Sequence, residues 1–474
     1  MSSNTESWQA KAQRKRDQIL QGIPEQWRLS RADLDRAALQ SDLTGSFIQS
    51  FLDQETIEIT SLETNEINPC LHELFIEYAL DRAKELDAFF EKHGKPTGAL
   101  HGLPISLKDQ FHVGDFDTTM AYVGWIDGKL GIDKEKSPVF ESDLVKELRS
   151  LGAVFYCKTA LPQTVLVGFP YGHLNGRSQG LTFISLLAWR NNQQHHWRLE
   201  LVFRSVLSTK PWLSDPAVVP IPWRTEELES IRSRVNAKGQ SAGRPLKFGF
   251  FWRNSTLEPH PPVRRGLKIV AEALQRAGHI IVDWNPPDHK VAEHIHAQFL
   301  YADGAHDVQA HISRSGEPII PNLKSRFGLR EPMPLLQYQD LTMQGLDFEN
   351  RYADYWNSTG TEDGHAVDAF IMAPAPHAAV IPGKYLTPGY TEVINLLNYS
   401  AVALPVTRAD KALDVVDTDY IPSEGLDKRN WDAYEPDIYH GAPVGVQVVA
   451  RKFEEEKALA IAEVVQAAIR AAQT

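Results

Sequence analysis

The chain is poor in the residues and patterns that mark several classes of protein. Among its 474 residues are only 2 Cys, Cys70 and Cys157, too few and too far apart for a disulfide framework or a zinc finger. This scarcity favours a reducing compartment, so a cytoplasmic location is expected. No apolar run approaches the roughly 20 residues that a membrane-spanning helix requires, so no association with a membrane is expected.

Adjacent glycines and cofactor motifs are absent as well. Although the chain has 30 Gly, no two of them are neighbours in the sequence. P-loop, dinucleotide-binding, EF-hand and His-Glu-x-x-His patterns do not occur, and the 17 His are scattered, so neither a metal nor an organic cofactor is expected. The net charge of -12 argues against a nucleic-acid partner, because such a protein needs a basic face to displace counterions from phosphate.

The sequence does contain a regular alternation of helical and extended patterns. Helices are predicted over about 70–92, 140–151 and 453–471, and another begins at Pro261. The predicted strands are short apolar runs: His101–Leu107, Ala153–Cys157, Leu246–Trp252, His279–Trp284, Val367–Ala373, Ser400–Val406 and Pro443–Ala450. This alternation predicts an α/β fold, a single large domain whose central sheet is mixed, mostly parallel and covered by helices.

Two regions are predicted to differ from the packed body of this domain. Residues 1–65 are expected to form an N-terminal helical arm, with the basic cluster Lys11–Arg16 on a solvated helix, and residues 66–474 the domain itself. Within the domain, residues 225–245 are polar and rich in Ser, Arg and Gly, which is typical of a surface loop or linker.

One lysine stands at the end of a predicted strand. Lys108 closes the run Gly-Leu-Pro-Ile-Ser-Leu-Lys, and a lysine in that place is most often a solvated edge residue. If the strand buries its neighbours, the ammonium is desolvated and its pKa falls toward that of a useful base. Ser106 lies on the same face of the strand and could hydrogen-bond the lysine, although a local bond to backbone groups is the more ordinary role.

Several stretches occur in a characteristic order along the chain: Asn68–Leu71, Gly102–Phe111, Gly152–Thr159, Leu161–Thr164, Pro211–Trp212, Asp215–Pro216, Val219–Arg224, Lys247–Pro287 and Gly441–Val449. In this order they resemble the amidase-signature family, in particular its fungal acetamidase-like branch. Together they extend over roughly four-fifths of the chain, which is far more specific than any single motif. The resemblance implies an amidase-signature fold and hydrolysis of a small-molecule carboxylic amide to acid and ammonia without a cofactor. Neither the identity of the amide nor the oligomeric state follows from it.

The resemblance also implies a Ser–Ser–Lys mechanism, of which only one member is identifiable. Lys108 matches the family's lysine, whereas the Gly/Ser-rich signature that supplies the nucleophile, the relay serine and the oxyanion loop has no counterpart. Residues 173–200 are foreign to the family's pattern and stand where the signature is expected. A deletion, an altered splice or a mistaken gene model would each produce this sequence, and the fold is expected to be incomplete in its middle.

Two alternatives to an active amidase remain open. The chain could be a catalytically inactive homologue that keeps the scaffold or a binding role, since a base without a nucleophile has nothing to activate. It could also be an α/β hydrolase, because Gly176-Arg177-Ser178-Gln179-Gly180 fits the Gly-x-Ser-x-Gly nucleophile elbow. That motif requires a strand before Ser178 and a helix after it, whereas the preceding residues resemble a loop.

Overall fold

A computed structural model describes most of the chain, and within it the helices and strands alternate as predicted. The described residues are 6–23, 71–127, 140–161, 163–165, 171–172, 176–177, 196–324, 326–361, 364–378 and 385–473. Their helices are α1 Trp8–Gln21, α2 Ile76–His93, α3 Asp143–Ser150, α4 His196–Ser208, α5 Thr225–Arg232, α6 Pro261–Arg276, α7 His289–Leu300, α8 His306–Ser313, α9 Pro321–Lys324, α10 Leu335–Ser358, α11 Gly389–Leu397, α12 Leu426–Asp432, α13 Pro436–Tyr439 and α14 Glu455–Gln473. Their strands are β1 Leu71–Leu74, β2 Pro104–Lys108, β3 Val154–Thr159, β4 Tyr171–Gly172, β5 Gly176–Arg177, β6 Lys247–Phe251, β7 Ile280–Asp283, β8 Ala369–Met372, β9 Ser400–Arg408 and β10 Pro443–Ala450. Within these ranges no helix combines the length and the apolar character that crossing a bilayer requires.

These elements belong to two compact units. The first unit consists of residues 1–223 and 305–330, and its main sheet has the order β1-β3-β2. The central strand β3 runs antiparallel to β1 and parallel to β2, and all six of its residues are buried. Helix α2 packs against β3. Because β3 is flanked on both sides by strands and covered by a helix, it forms the centre of this unit.

The second unit consists of residues 224–304 and 331–474, and its five-stranded sheet has the order β7-β6-β8-β10-β9. Strand β6 is parallel to β7 and β8, whereas β10 is antiparallel to both β8 and β9. The prediction of an α/β fold with mixed sheets is confirmed. In the part of the chain that the structure describes, however, each of the two main sheets has as many antiparallel as parallel pairings, so neither is mostly parallel. Apolar strand patterns of this kind do not specify direction, because a strand buried on both faces reads the same either way.

The prediction of a loop or linker at residues 225–245 is wrong for residues 225–232. They form helix α5, which buries Leu228 and Ile231 and contacts the C-terminal helix α14. Arg232 of α5 lies 2.7 Å from the carboxylate of Glu463 in α14. Only two apolar residues anchor this short helix. The sequence analysis therefore predicted a loop from its polar composition, although the two apolar residues have helical spacing.

Close packing of a tryptophan against the sheet requires a glycine in β6. The indole of Trp284 is 2 % exposed and stacks on Phe370, with ring centroids 5.0 Å apart. A Cβ atom added at Gly249 would lie 2.5 Å from Trp284 Cε3 and 3.3 Å from Phe370 Cβ. Since both rings are packed in the core, neither can withdraw without opening a void.

Gly249→Ala is therefore expected to lower the free energy of unfolding by about 2 kcal/mol, the cost of overpacking a filled core. Urea denaturation followed by tryptophan fluorescence measures the change. Gly243→Ala is the matched control, because nothing lies within 4 Å of a Cβ added there. Equal stabilities of the two variants would contradict the role assigned to Gly249.

Candidate active site

Strand β2 carries Lys108 to the edge of the buried centre of the first unit. Ile105 and Leu107 of this strand are buried, and Lys108 pairs with Thr159 in the parallel register of β2 and β3. Lys108 is its last residue and is only partly buried. A turn follows directly, in which the Phe111 N–H donates to the Lys108 carbonyl over 3.0 Å.

Burial lowers the pKa of the Lys108 ammonium below its usual value, and it is the one cause of the shift. The strand does bury its neighbours, which is the condition that the sequence analysis set for a functional lysine. No hydrogen bond or ion pair links the ammonium to any residue in the described ranges. Ser106 is buried in the middle of β2, and its hydroxyl makes no hydrogen bond with the described Lys108 side chain. The suggested Ser106–Lys108 contact is therefore not formed.

Next to Lys108 lies a fully buried ionic network that the sequence analysis did not predict. The carboxylate of Asp109 is 0 % exposed. Its Oδ2 accepts hydrogen bonds from the Thr119 N–H (3.1 Å), the Thr119 hydroxyl (3.0 Å) and the Met120 N–H (2.9 Å). The ammonium of Lys158 in β3 lies 2.9 Å from Oδ1 at an angle too oblique for a hydrogen bond, so this contact is an ion pair.

The remaining atoms of this network are also partnered. Lys158 donates to the Asp117 carbonyl over 2.7 Å and to the Thr118 hydroxyl over 2.8 Å. His72 Nε2 lies 2.6 Å from the Thr119 hydroxyl oxygen. Because that hydroxyl gives its single proton to Asp109, His72 Nε2 is the donor in this contact.

The charges in the network follow from burial and from these contacts. Burial lowers the pKa of His72, so its imidazole is neutral at pH 7. Burial alone would raise the pKa of the Asp109 carboxyl, but His72, Lys158 and the Thr119 hydroxyl together lower it below its usual value. At neutral pH the uncharged His72 contributes little, so the Lys158 ammonium and the Thr119 hydroxyl keep Asp109 ionised. The sequence carried one signal for this network, a lysine in the otherwise apolar strand Val-Phe-Tyr-Cys-Lys.

A second ionic cluster attaches the N-terminal helix to the same loop. The ammonium of Lys15 in α1 forms ion pairs with Glu73 of β1 and with Asp117 Oδ2, the latter over 3.2 Å. Lys15 is buried, so the interpretation of the basic cluster as a solvated helix is wrong at this residue. Residues 6–23 do contain the expected N-terminal helix, whereas residues 24–70 lie outside the described ranges.

The first unit holds another buried carboxylate, which forms no ion pair with any cation in the described ranges. Glu317 is 2 % exposed and accepts hydrogen bonds from the Val123 N–H (2.8 Å) and from Gln163 Nε2 (3.2 Å). Burial raises its pKa to about 7. Between about pH 4.5 and 7 the folded protein therefore binds more protons at this residue than the unfolded chain does, and its contribution to stability falls as the pH rises.

Glu317→Gln removes this titration. Relative to the wild type, the variant is expected to gain up to about 3 kcal/mol of stability between pH 4.5 and pH 8, since each pKa unit corresponds to about 1.4 kcal/mol. Urea denaturation at several pH values measures the difference, and Glu91→Gln on the exposed side of α2 is the control. A difference that does not change with pH would contradict the raised pKa.

The sequence analysis named one further candidate residue, Ser178. Ser178 lies outside the described residues, as do residues 173–175 and 179–195. The two residues before it, Gly176–Arg177, form strand β5, which pairs antiparallel with β4. In the described ranges no three His, Cys, Asp or Glu side chains come together as metal ligands. Cys157 is a buried residue of β3, as its apolar surroundings in the sequence indicated.

The family model described as Amidase matches residues 56–170 and 198–459 of the chain. The chain therefore belongs to the amidase family, a class of hydrolases that act on amide bonds. The chain is 31% identical to an acetamidase of Aspergillus oryzae over an alignment of 549 residues, which covers 97% of this chain and 98% of the relative. It is 30% identical to an acetamidase of Emericella nidulans, with 97% of each chain covered. These matches confirm the resemblance to the fungal acetamidases.

Solved structures confirm the fold. A fatty acid amide hydrolase matches with a TM-score of 0.80 and 20% sequence identity, covering 98% of this chain and 95% of its own. A peptide amidase from Stenotrophomonas maltophilia matches with a TM-score of 0.53 and 14% identity, covering 100% of this chain and 98% of its own. At these identities the likeness concerns the fold alone.

The comparisons also locate a difference from the family. The family model leaves residues 171–197 unmatched, and this interruption coincides with the stretch 173–200 that the sequence analysis set apart. The alignment with the Aspergillus oryzae acetamidase has 549 positions, which exceeds the 474 residues of this chain by 75. At least that many positions of the alignment therefore have no residue of this chain.

Proposed function

We propose that this chain hydrolyses a small carboxylic amide to the acid and ammonia, with Lys108 as the base. The observation that carries the proposal is the state of Lys108, which lies at the end of a buried strand with its pKa lowered by burial and no ion pair to any described residue. A neutral amine can accept a proton from a serine, whereas an ion-paired ammonium cannot.

The reaction follows from the chemistry of such a base. A serine hydroxyl attacks the amide carbonyl while its proton passes to the neutral amine of Lys108, directly or through a second hydroxyl. The protonated Lys108 then returns this proton to the leaving nitrogen, so that ammonia departs and an acyl-enzyme remains. Water attacks the acyl group and gives a proton to Lys108 along the same path. Lys108 passes this proton to the serine oxygen as the acyl–oxygen bond breaks, so that the acid is released and the serine hydroxyl is restored. The serines of this scheme are not assigned to residues of this chain.

One observation favours a second candidate, a catalytically inactive amidase homologue that serves as a scaffold or a binding protein. The family model is interrupted at residues 171–197, and the chain has no adjacent glycines from which the family's oxyanion loop could be built. Without a nucleophile and an oxyanion site, Lys108 has no proton to accept and no charge to stabilise.

An assay of ammonia release from a series of amides distinguishes these candidates. The series runs from acetamide through hexanamide and a fatty acid amide to a peptide amide, because the substrate chain length is open. A fluorophosphonate, which phosphonylates activated serines with loss of fluoride, is applied in parallel, and mass spectrometry locates the labelled residue. Release of ammonia with a single labelled serine supports hydrolysis, whereas a folded protein that neither releases ammonia nor reacts supports the scaffold.

Ser178→Ala tests, in the same assay, the possibility that the chain is an α/β hydrolase with Ser178 as its nucleophile. Loss of both activity and label in this variant would support the nucleophile elbow, and retention of both would exclude it.

We further infer that the protein works in a reducing compartment such as the cytoplasm. The inference is supported by the scarcity of cysteine. A fluorescent fusion of the full chain, imaged in living cells, tests it.

A further inference from the structure

The position of the Lys108 ammonium depends on the backbone that carries it. Its side chain has no hydrogen bond or ion pair to any described residue, so the β2 ladder and the turn after it are what hold it. The Asp109 N–H donates to the Thr159 carbonyl over 3.1 Å, and the Lys108 carbonyl accepts from Phe111. Both polar groups of the peptide unit between Lys108 and Asp109 are therefore fixed.

The Asp109 side chain fixes the same point of the backbone from within the turn that follows β2. Its carboxylate forms its ion pair with Lys158 and none with the neighbouring Lys108 ammonium. It is held by three donors from Thr119 and Met120 and by the Lys158 ammonium. Lys158 in turn holds the loop at Asp117 and Thr118. The strand end, the neighbouring strand and the loop are thus joined through one buried ion pair.

We propose that Asp109 and Lys158 are positioning residues for Lys108: their buried ion pair fixes the backbone next to the base and presents no net charge to it. The inference rests on the proposed role of Lys108 as the base. Neither residue is given a contact with the substrate.

The charges around the Asp109–Lys158 pair support the proposal that this pair presents no net charge to Lys108. The other titratable groups that face it come from α1, β1 and the loop after β2, and they are Lys15, His72, Glu73, His112 and Asp117. Burial lowers the pKa of both His72 and His112, so each is neutral at pH 7. Asp109 and Lys158 compensate each other, and burial remains the one cause that lowers the pKa of Lys108.

Positioning of this kind has a large effect on rate, because a displacement of about 1 Å at a reacting group can cost about 100-fold. Asp109→Asn leaves the Lys158 cation without its anion, and it is expected to lower kcat by about 100-fold with KM changed less than about threefold. The double variant Asp109→Asn/Lys158→Met has neither charge and keeps a side-chain oxygen for the Thr119 and Met120 donors. We expect it to recover at least about tenfold of the lost rate.

The pH profile separates positioning from a loss of folded protein. Asp109→Asn leaves the buried Lys158 cation without its anion. This cation disfavours the protonated form of Lys108, so the rise of kcat with pH is expected about half a pH unit lower than in the wild type. Lys158→Met leaves a buried anion and moves this rise to higher pH. The double variant returns it to the wild-type position. Opposite shifts of this kind do not arise from a change in stability alone.

Asp368→Asn is the matched control. Asp368 is a buried aspartate of the second unit with an ion pair to Arg234 and hydrogen bonds from the Lys247 N–H and His365, so its environment resembles that of Asp109. Its substitution is expected to lower stability without moving the pH profile.

A second measurement does not require activity. The rate at which acetic anhydride acetylates Lys108 is followed by mass spectrometry as a function of pH, which reports the fraction of neutral amine in each variant. The same opposite shifts are expected. If the wild type releases no ammonia but these shifts appear, the proposed function fails and the positioning inference stands. If the wild type is active and neither rate, profile nor acetylation changes in Asp109→Asn, the inference is overturned.

Discussion

Lys108→Met is expected to lower kcat/KM for amide hydrolysis by about 1000-fold, the typical contribution of a general base. Lys108→Arg should lose as much, although it keeps a positive charge of similar reach, because a guanidinium does not release its proton in the accessible pH range. In the wild type the rate should rise with pH as the ammonium loses its proton. Because burial lowers this pKa, the rise should come below the pH at which an exposed lysine titrates.

The assay is ammonia release by purified protein over a range of pH. Lys146→Met serves as the control, because Lys146 is an exposed residue of α3 paired with Asp143 in the next turn. Thermal denaturation verifies that each variant is folded. Activity of Lys108→Met and Lys108→Arg within about tenfold of the wild type would remove Lys108 from the mechanism.

The second large effect concerns the interruption at residues 171–197. If the chain is the inactive homologue of the second candidate, replacing these residues with the corresponding segment of the Aspergillus oryzae acetamidase is expected to raise kcat/KM for acetamide by at least about 1000-fold. The physical reason is that nucleophile, relay and oxyanion donors act as a unit, and a base alone recovers little of the rate.

Two controls accompany this graft. The same graft with its serines replaced by alanine should show no gain, and the graft with Lys108→Met should lose the gain. A folded graft that is no more active than the parent chain would show that this interruption is not what limits activity. A parent chain that is already as active as the acetamidase would lead to the same conclusion and would point to a nucleophile elsewhere in the chain.

Much of the fold was predictable from local patterns. Strand β10 was predicted with its observed bounds, Pro443–Ala450, and helix α6 begins at Pro261 as expected. Both have a clear signal, a short apolar run in one case and a proline at a helix start in the other. Strand β1 was missed because Leu71–Leu74 continues into the helical pattern of α2 without a breaker.

The ionic network beside Lys108 was not predictable to the same degree. His72, Asp109 and Lys158 come from three segments separated by tens of residues, and each is of a type that is usually exposed. Sequence spacing places Asp109 next to Lys108 but does not indicate that it is buried. Only the approach of β3 and the loop after β2 excludes water from these side chains.

The sequence by itself determined the family and the absence of adjacent glycines, and it singled out Lys108 as the candidate base. These are properties of residue order, so no coordinates are needed to read them. The tertiary structure decided strand direction, the helical state of residues 225–232 and the environment of Lys108. These depend on which surfaces exclude water, and the free energy of a charge changes far more with its solvation than with its neighbours in the sequence.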